Sequence, residues 1–272
     1  MQLIFFTKFL TGLTAQEVGK TAKDLGFDGL DLAVRPGQCV NSGNVTTALP
    51  EAMKIWRDAG LTVPLVSLET KPTDVRDKNV RQIYEACAKA NIREIKIGYW
   101  KWTPGQPYWP AVETIRADLK EFERMGRDLG VRTLHHNHSG GNFGCNAGTA
   151  MLLIRGFDPK CVGFYVDPAH LAICGEPLDM ALAIVRDYLA MAAVKNCRYV
   201  SAAAGGVTTW KSEWCMLNEG LVNWPRAIES LKQAKYDGPL SIHGEYSGIK
   251  EDDRPALFDR VARDVAFLKS VF

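Results

Sequence analysis

No CxxC pair occurs among the seven cysteines, Cys39, Cys87, Cys145, Cys161, Cys174, Cys197 and Cys215, and their number is odd. This excludes a disulfide framework and a zinc knuckle, and it is the pattern of a reducing compartment. An excess of charge of one sign is missing too. A formal net charge of +2 gives no electrostatic reason to expect nucleic acid or an acidic membrane as partner. The start MQLIFFTKF has no basic leader before its apolar run, and that run is far too short to span a membrane. A cytoplasmic protein is therefore expected. Internal repeats, low-complexity tracts and linkers are absent, so residues 1–272 are expected to form one domain.

Short β-forming runs alternate with helical patterns about eight times along the chain. The strand candidates are 2–7, 28–33, 62–69, 93–98, 131–137, 161–167, 189–196 and 239–245. Helices are predicted near 14–25, 48–59, 74–90, 111–129, 147–155, 178–187, 224–235 and 255–270. In 111–129, Val112, Ile115, Leu119, Phe122 and Met125 recur at three- and four-residue steps, the period of a helix with one buried face. Glycines in DLGFDG, DAGL and DLGV suit helix C-terminal caps. No glycine-rich phosphate loop follows the first strand, so the pattern favours a (β/α)8 TIM barrel over a doubly wound sheet. The longest irregular stretches, 34–47, 99–110 and 197–222, each follow a strand, and in a barrel they build the active-site face.

All five histidines fall in three places where strand-like runs stop: LHHNHSGG (His135, His136, His138), YVDPAHL (His170) and SIHGEY (His243). Two of these places also carry a carboxylate, Asp167 and Glu245. Strand alternation assigns their faces. Val162, Phe164 and Val166 point to the helices, so Tyr165 and Asp167 point inward. Leu240 and Ile242 point outward, so Ser241, His243 and Glu245 point inward. With Leu134 inward, His136 and His138 follow. A shared site at one end of the barrel is expected, rather than three unrelated core histidines.

These motifs, in order, resemble the xylose-isomerase-like TIM-barrel superfamily of sugar phosphate isomerases and epimerases. LGFDGLDL is similar to its second-strand string, VDPAH to its D-x-x-H, AAVKN to its strand-seven end, NEGLVNW to a GEGxxDW-like loop, and SIHGEY to the segment carrying its late glutamate. The resemblance implies one divalent metal ion held by a glutamate, an aspartate, a histidine and a glutamate. In this chain the aspartate is Asp167 and the last glutamate Glu245, but the first glutamate falls on His136 and the histidine on Ala193. Two readings follow. A remodelled site holds manganese, cobalt, iron or zinc through His136, Asp167, Glu245 and His138. Alternatively the metal is lost and the pocket does metal-free acid/base chemistry.

The resemblance also implies proton abstraction beside a carbonyl of a sugar or polyol derivative, through an enediolate. The expected catalytic residues are Glu245 as base, His136, and Lys195, which shares the inward face with Ala193. Substrate contacts are expected from His138, His170, Glu69 at the end of strand three, and Trp100. Trp100, Trp102 and Trp109 form an aromatic loop suited either to stacking on a sugar or to a contact between copies in a homo-oligomer. A lyase or dehydratase acting on a keto-sugar with the same site, and a catalytically reduced binding subunit, are the alternatives. An AP-endonuclease-like nuclease would need more histidines and a basic face.

Overall fold

Eight segments in which inward and outward residues alternate close into one parallel sheet. The computed structural model describes every residue except Pro72 and Glu251, and the side chain of Ala204 is also not described. The strands are β1 (Leu3–Phe6), β2 (Gly29–Ala33), β3 (Thr62–Ser67), β4 (Glu94–Lys96), β5 (Arg132–His136), β6 (Val162–Val166), β7 (Leu189–Val194), β8 (Asn196–Ala204), β9 (Val207–Cys215) and β10 (Leu240–Ile242). The order β1-β10-β7-β6-β5-β4-β3-β2 closes a barrel, while β8 and β9 pair with each other as an antiparallel ribbon. This is the expected TIM barrel.

The helices are α1 (Ala15–Asp24), α2 (Val45–Asp58), α3 (Lys78–Lys89), α4 (Tyr108–Leu129), α5 (Ala147–Ile154), α6 (Pro168–Cys174), α7 (Leu178–Val185), α8 (Trp224–Gln233) and α9 (Arg254–Ser270). No single helix among the described residues is long and apolar enough to cross a membrane. The five periodic residues of α4 are all buried, which is why this amphipathic segment lies against the barrel. Gly130 ends α4 at φ 65°, a left-handed cap that a side chain disfavours.

The outward strand residues Val162, Phe164, Val166, Leu240 and Ile242 join the large core under the helices. The inward residues Ile4, Leu65, Leu134, Tyr165, Met191 and Ala193 pack into a separate small plug. Beyond that plug the inward residues are mostly polar, Phe6 excepted, so the plug is the floor of a chamber at the strands' C-terminal end.

Besides strands that end earlier than read, such as β4 and β10, three departures from the sequence reading bear on the site. Residues 197–222, read as irregular, hold most of the β8–β9 ribbon, whose outer part is exposed. Its alternation gave no signal because neither face of that part is buried. The helix α6 was missed because it is short and carries no polar face; Asp167 caps its start, with Pro168 in its first turn. Finally, β3 stops at Ser67 rather than running to Glu69.

Candidate active site

Asp167 does two jobs with two oxygens. Its Oδ1 accepts hydrogen bonds from the backbone N–H groups of Ala169 (2.9 Å) and His170 (3.1 Å), opening α6. That fixes the carboxylate so that Oδ2 faces the chamber, 3.2 Å from Lys195 Nζ and 3.3 Å from His136 Nε2. Lys195 Nζ also donates to Glu245 Oε2 (3.0 Å) and lies 2.9 Å from His170 Nε2. Glu245 in turn receives Lys8, from the loop after β1, on its other oxygen. The result is an alternating string of charge: Asp167, Lys195, Glu245, Lys8.

Burial pulls each member toward neutrality, and its neighbours overrule it. For Asp167, desolvation is outweighed by the Lys195 ammonium and by His170 and His136, which hold the carboxyl well below its ordinary range. Glu245 is likewise held well below, its burial outweighed by Lys195 and Lys8. For Lys195 burial is outweighed by Asp167 and Glu245, which raise it. All three are charged at neutral pH.

The histidines around them are neutral. Burial pushes His136 down to about 3 and His138 down to about 4. His170 and His243 fall well below the usual imidazole range, burial first and the Lys195 charge second. The Tyr99 hydroxyl lies 2.9 Å from His136 Nδ1. With the phenol donating, His136 keeps its proton on Nε2, aimed at the Asp167 anion. His138 stacks on His170 with ring centroids 4.0 Å apart, and Ser139 Oγ holds His170 Nδ1 at 2.8 Å. His243 Nε2 bonds the Tyr165 hydroxyl (3.0 Å), while its buried Nδ1 has no partner among the described residues.

An inner chamber of about 120 Å³ is lined by His136, His138, Lys195, His243 and Glu245, together with Lys8, Arg35, Lys96, Tyr99 and Tyr165. A wider mouth of about 350 Å³ adjoins it, sharing Lys8, His138 and Glu245, with Trp214 of β9 in its wall. Trp214 packs edge-on to His170 and lies 4.2 Å from the Lys195 ammonium, so the ribbon supplies a side of the site.

Thus His136, His138, Asp167, His170, Lys195 and Glu245 come together, but two expected substrate contacts do not. Glu69 lies past the end of β3, where Leu68 N bonds the Lys96 carbonyl and the chain turns outward; its side chain borders a separate surface cleft. Trp100 is buried behind β5, stacked on His135 at 6.2 Å, because the apolar core takes it before the chamber can. Trp102 and Trp109 are more exposed.

The metal centre expected from His136, Asp167, Glu245 and His138 does not fit this donor set. Among the described residues no group of three or more His, Cys, Asp or Glu side chains is arranged to hold a metal ion. The two carboxylates close on Lys195 instead, one Asp167 oxygen is committed to α6, and His136 Nε2 faces the other Asp167 oxygen at 3.3 Å. A divalent ion would also join four basic side chains, Lys8, Arg35, Lys96 and Lys195, lining the same chamber.

Sequence reasoning gave no role to Lys8, Arg35, Asp31, Lys96, Tyr99 or Trp214. Two of them carried a readable signal. In GLDLA and EIKIG, Asp31 and Lys96 stand between outward apolar residues, so alternation alone turns them inward. Asp31 bonds Ser241 Oγ (2.8 Å) and the Tyr165 hydroxyl (3.2 Å) beneath the chamber. Its burial raises the carboxyl to about 6 against the pull of Ser67 and Ser241.

The fold and the chamber define a TIM barrel with a polar, charge-lined pocket at the C-terminal ends of its strands. The chain belongs to the xylose isomerase-like TIM barrel family, whose model matches residues 20–271. Its shape is similar to that of the 3-keto-D-glucoside 4-epimerase YcjR of E. coli (17% identity, 99% of each chain, TM-score 0.74). It is also similar to the probable 3-DHS dehydratase AsbF of Bacillus anthracis (13% identity, 99% of each chain, TM-score 0.74). A third likeness is to the D-psicose 3-epimerase of Clostridium cellulolyticum H10 (15% identity, 100% of this chain and 99% of that one, TM-score 0.70). At these identities the likeness is one of fold. No curated protein matches the chain significantly.

Proposed function

We propose that this chain is an enzyme of the isomerase and epimerase type, moving a proton on the carbon next to a carbonyl of a small sugar or polyol derivative. One observation carries the reading: a carboxylate, Glu245, and an ammonium, Lys195, meet at 3.0 Å on the wall of a polar chamber that also holds three neutral histidines, His136, His138 and His243. The family membership and the sugar-epimerase neighbours support it.

The steps follow from the charges. The substrate's carbonyl oxygen takes a hydrogen bond from Lys195, which stabilises the negative charge that develops there. Sharing Lys195 with the substrate also removes part of what depresses Glu245, and its basicity recovers. Glu245 then accepts the proton from the adjacent carbon. His138, uncharged and lining both the chamber and its mouth, is placed to hydrogen-bond a hydroxyl, while His136 and His170 have both ring nitrogens engaged and brace Asp167 and Lys195. Asp167 keeps Lys195 protonated and aimed.

The same one-sided abstraction begins an elimination, and no second carboxylate among the described residues faces Glu245 across the chamber. A dehydratase reading therefore stands beside the isomerase reading. The deciding experiment is proton NMR in D2O across a panel of aldoses, 2-ketohexoses and keto-glucosides. Deuterium entering one carbon-bound position, with isomer formed, supports isomerisation or epimerisation; loss of water from a keto-sugar supports elimination. Neither event on any panel member sinks the proposal.

A further inference from the structure

Lys96 stands on β4, and Glu245 follows β10. In the closed ring of eight strands these two lie four places apart, so they face each other across the barrel. Both line the inner chamber. Register places Lys96 beside Ser67 of β3 and Leu134 of β5, both inward, whereas its neighbours Ile95 and Ile97 join the outer core.

The surroundings of Lys96 are unlike those of Lys195. It is only 3% exposed, yet among the described residues its Nζ makes neither an ion pair nor a hydrogen bond and rests 4.0 Å from the centroid of the Tyr99 ring. The charges facing it are Arg35 and Asp31 from β2 and the loop after it, Lys195 just past β7, Lys8 from the loop after β1, and Glu245 across the chamber; His136 and His138 in the same wall are neutral. Burial strips water from the ammonium, Arg35 repels it, and the attraction of Asp31 does not make up the loss. Lys96 therefore falls well below the ordinary lysine range. An ordinary lysine is neutral at pH 7 in fewer than about one molecule in a thousand, and its ammonium is a correspondingly weak acid. Lysines desolvated and crowded by cations are the ones that exchange protons near neutrality.

We propose that Lys96 is the second proton-transferring residue, working on the face of the substrate carbon opposite Glu245, so that the pair inverts that carbon. This rests on the proton-transfer reading above and narrows it to epimerisation. In one direction Glu245 takes the proton, the C–H electron pair moves into the enolate whose oxygen is held by Lys195, and the Lys96 ammonium gives its proton to the other face. Lys96 is left as the neutral amine and Glu245 as the acid; solvent at the chamber mouth returns the proton from one to the other. The reverse reaction starts from that second form, with Lys96 as base. No redox partner is required.

The test uses the full chain with D-fructose, D-psicose and D-tagatose as probes in D2O. The expectation is that Lys96→Met and Lys96→Gln continue to exchange the carbon-bound hydrogen through Glu245 but invert the carbon at least about 100-fold more slowly. Glu245→Gln should lose both exchange and inversion. In parallel, competitive acetylation of the wild type with acetic anhydride, read residue by residue by mass spectrometry, should show Lys96 becoming reactive at lower pH than the exposed Lys54. Exchange and inversion both surviving in Lys96→Met, or Lys96 titrating alongside Lys54, would overturn the pairing alone. Absence of exchange by the wild type would bring down the proton-transfer reading and the pairing with it.

Discussion

Glu245 has two cations on two oxygens, and its substitution separates chemistry from folding. Glu245→Gln keeps the shape but cannot accept a proton from carbon, so turnover should drop at least about 100-fold while the thermal midpoint shifts only modestly. Steady-state kinetics beside a melting curve check this; undiminished turnover would place the base elsewhere. The buried imidazoles make a second prediction, about pH. Folded, His135 and His138 sit at about 4 and His136 at about 3, against about 6.5 when unfolded. Between these values the unfolded chain binds more protons, so stability falls as pH drops below about 6.5, by up to about 1.4 kcal/mol per pH unit for each such histidine. His170 and His243 add in the same sense. Asp31 and Asp264, raised to about 6 mainly by burial, oppose it because they take up protons while folded. Glu94, raised by burial, opposes it as well, and five against three the histidines win. Urea midpoints at pH 7.5, 6.5 and 5.5 should decline in that order, and a flat series would show that the imidazoles are not held neutral.

At the scale of elements, the excursion between β7 and α8 hangs on one amide. Asn196 is fully buried; its Nδ2 donates to the carbonyls of Leu217 (2.8 Å) and Val222 (2.9 Å), and its Oδ1 accepts from the N–H of Val222 (2.9 Å). A Cβ on Gly220 would lie 2.2 Å from that oxygen, so the segment can close there only on a glycine. Asn196→Ala leaves several backbone groups without partners and should cost about 2–3 kcal/mol. Because the same excursion carries Trp214 against His170 and Lys195, the loss should also raise KM. Calorimetry and kinetics on the variant measure both. An unchanged KM together with the lost stability would show that Trp214 does not depend on this anchor.

For the whole molecule, the charges lining the chamber make a prediction about metals. Dialysis against EDTA should leave the thermal midpoint unchanged, and millimolar manganese, cobalt or zinc should not raise it, since an ion that bound the native state would stabilise by mass action. A rise of several degrees would show that Lys195 yields its place. The barrel, its inward and outward faces and the meeting of Asp167, Lys195 and Glu245 were legible in the chain because alternation with period two survives wherever one face is apolar. Glu69 was misread because after β3 the chain leaves the inner face, whereas Asp167, Lys195 and Glu245, also past their strand ends, stay on it. Trp100 was misread because a strand-end aromatic looks the same whether it turns toward the chamber or the core. The pairing of Lys195 with both carboxylates at once was not legible, although its inward face was. It depends on which side chain reaches between Asp167 and Glu245, a matter of three-dimensional distance that spacing along the chain does not encode.

The double duty of Asp167 has a consequence for how such a pocket can change. Its carboxylate starts α6 as well as holding Lys195, so a mutation there is judged first by whether the protein folds at all. Positions 136 and 193 carry no helix cap, and it is at these two that the chain departs from the ligand pattern implied by its resemblance. Innovation is channelled: the residues that scaffold the barrel stay put, while their unburdened neighbours are where new chemistry can be tried at low risk. A laboratory lineage selected for a different substrate should accumulate its first substitutions at such unburdened sites, and reach Asp167 last.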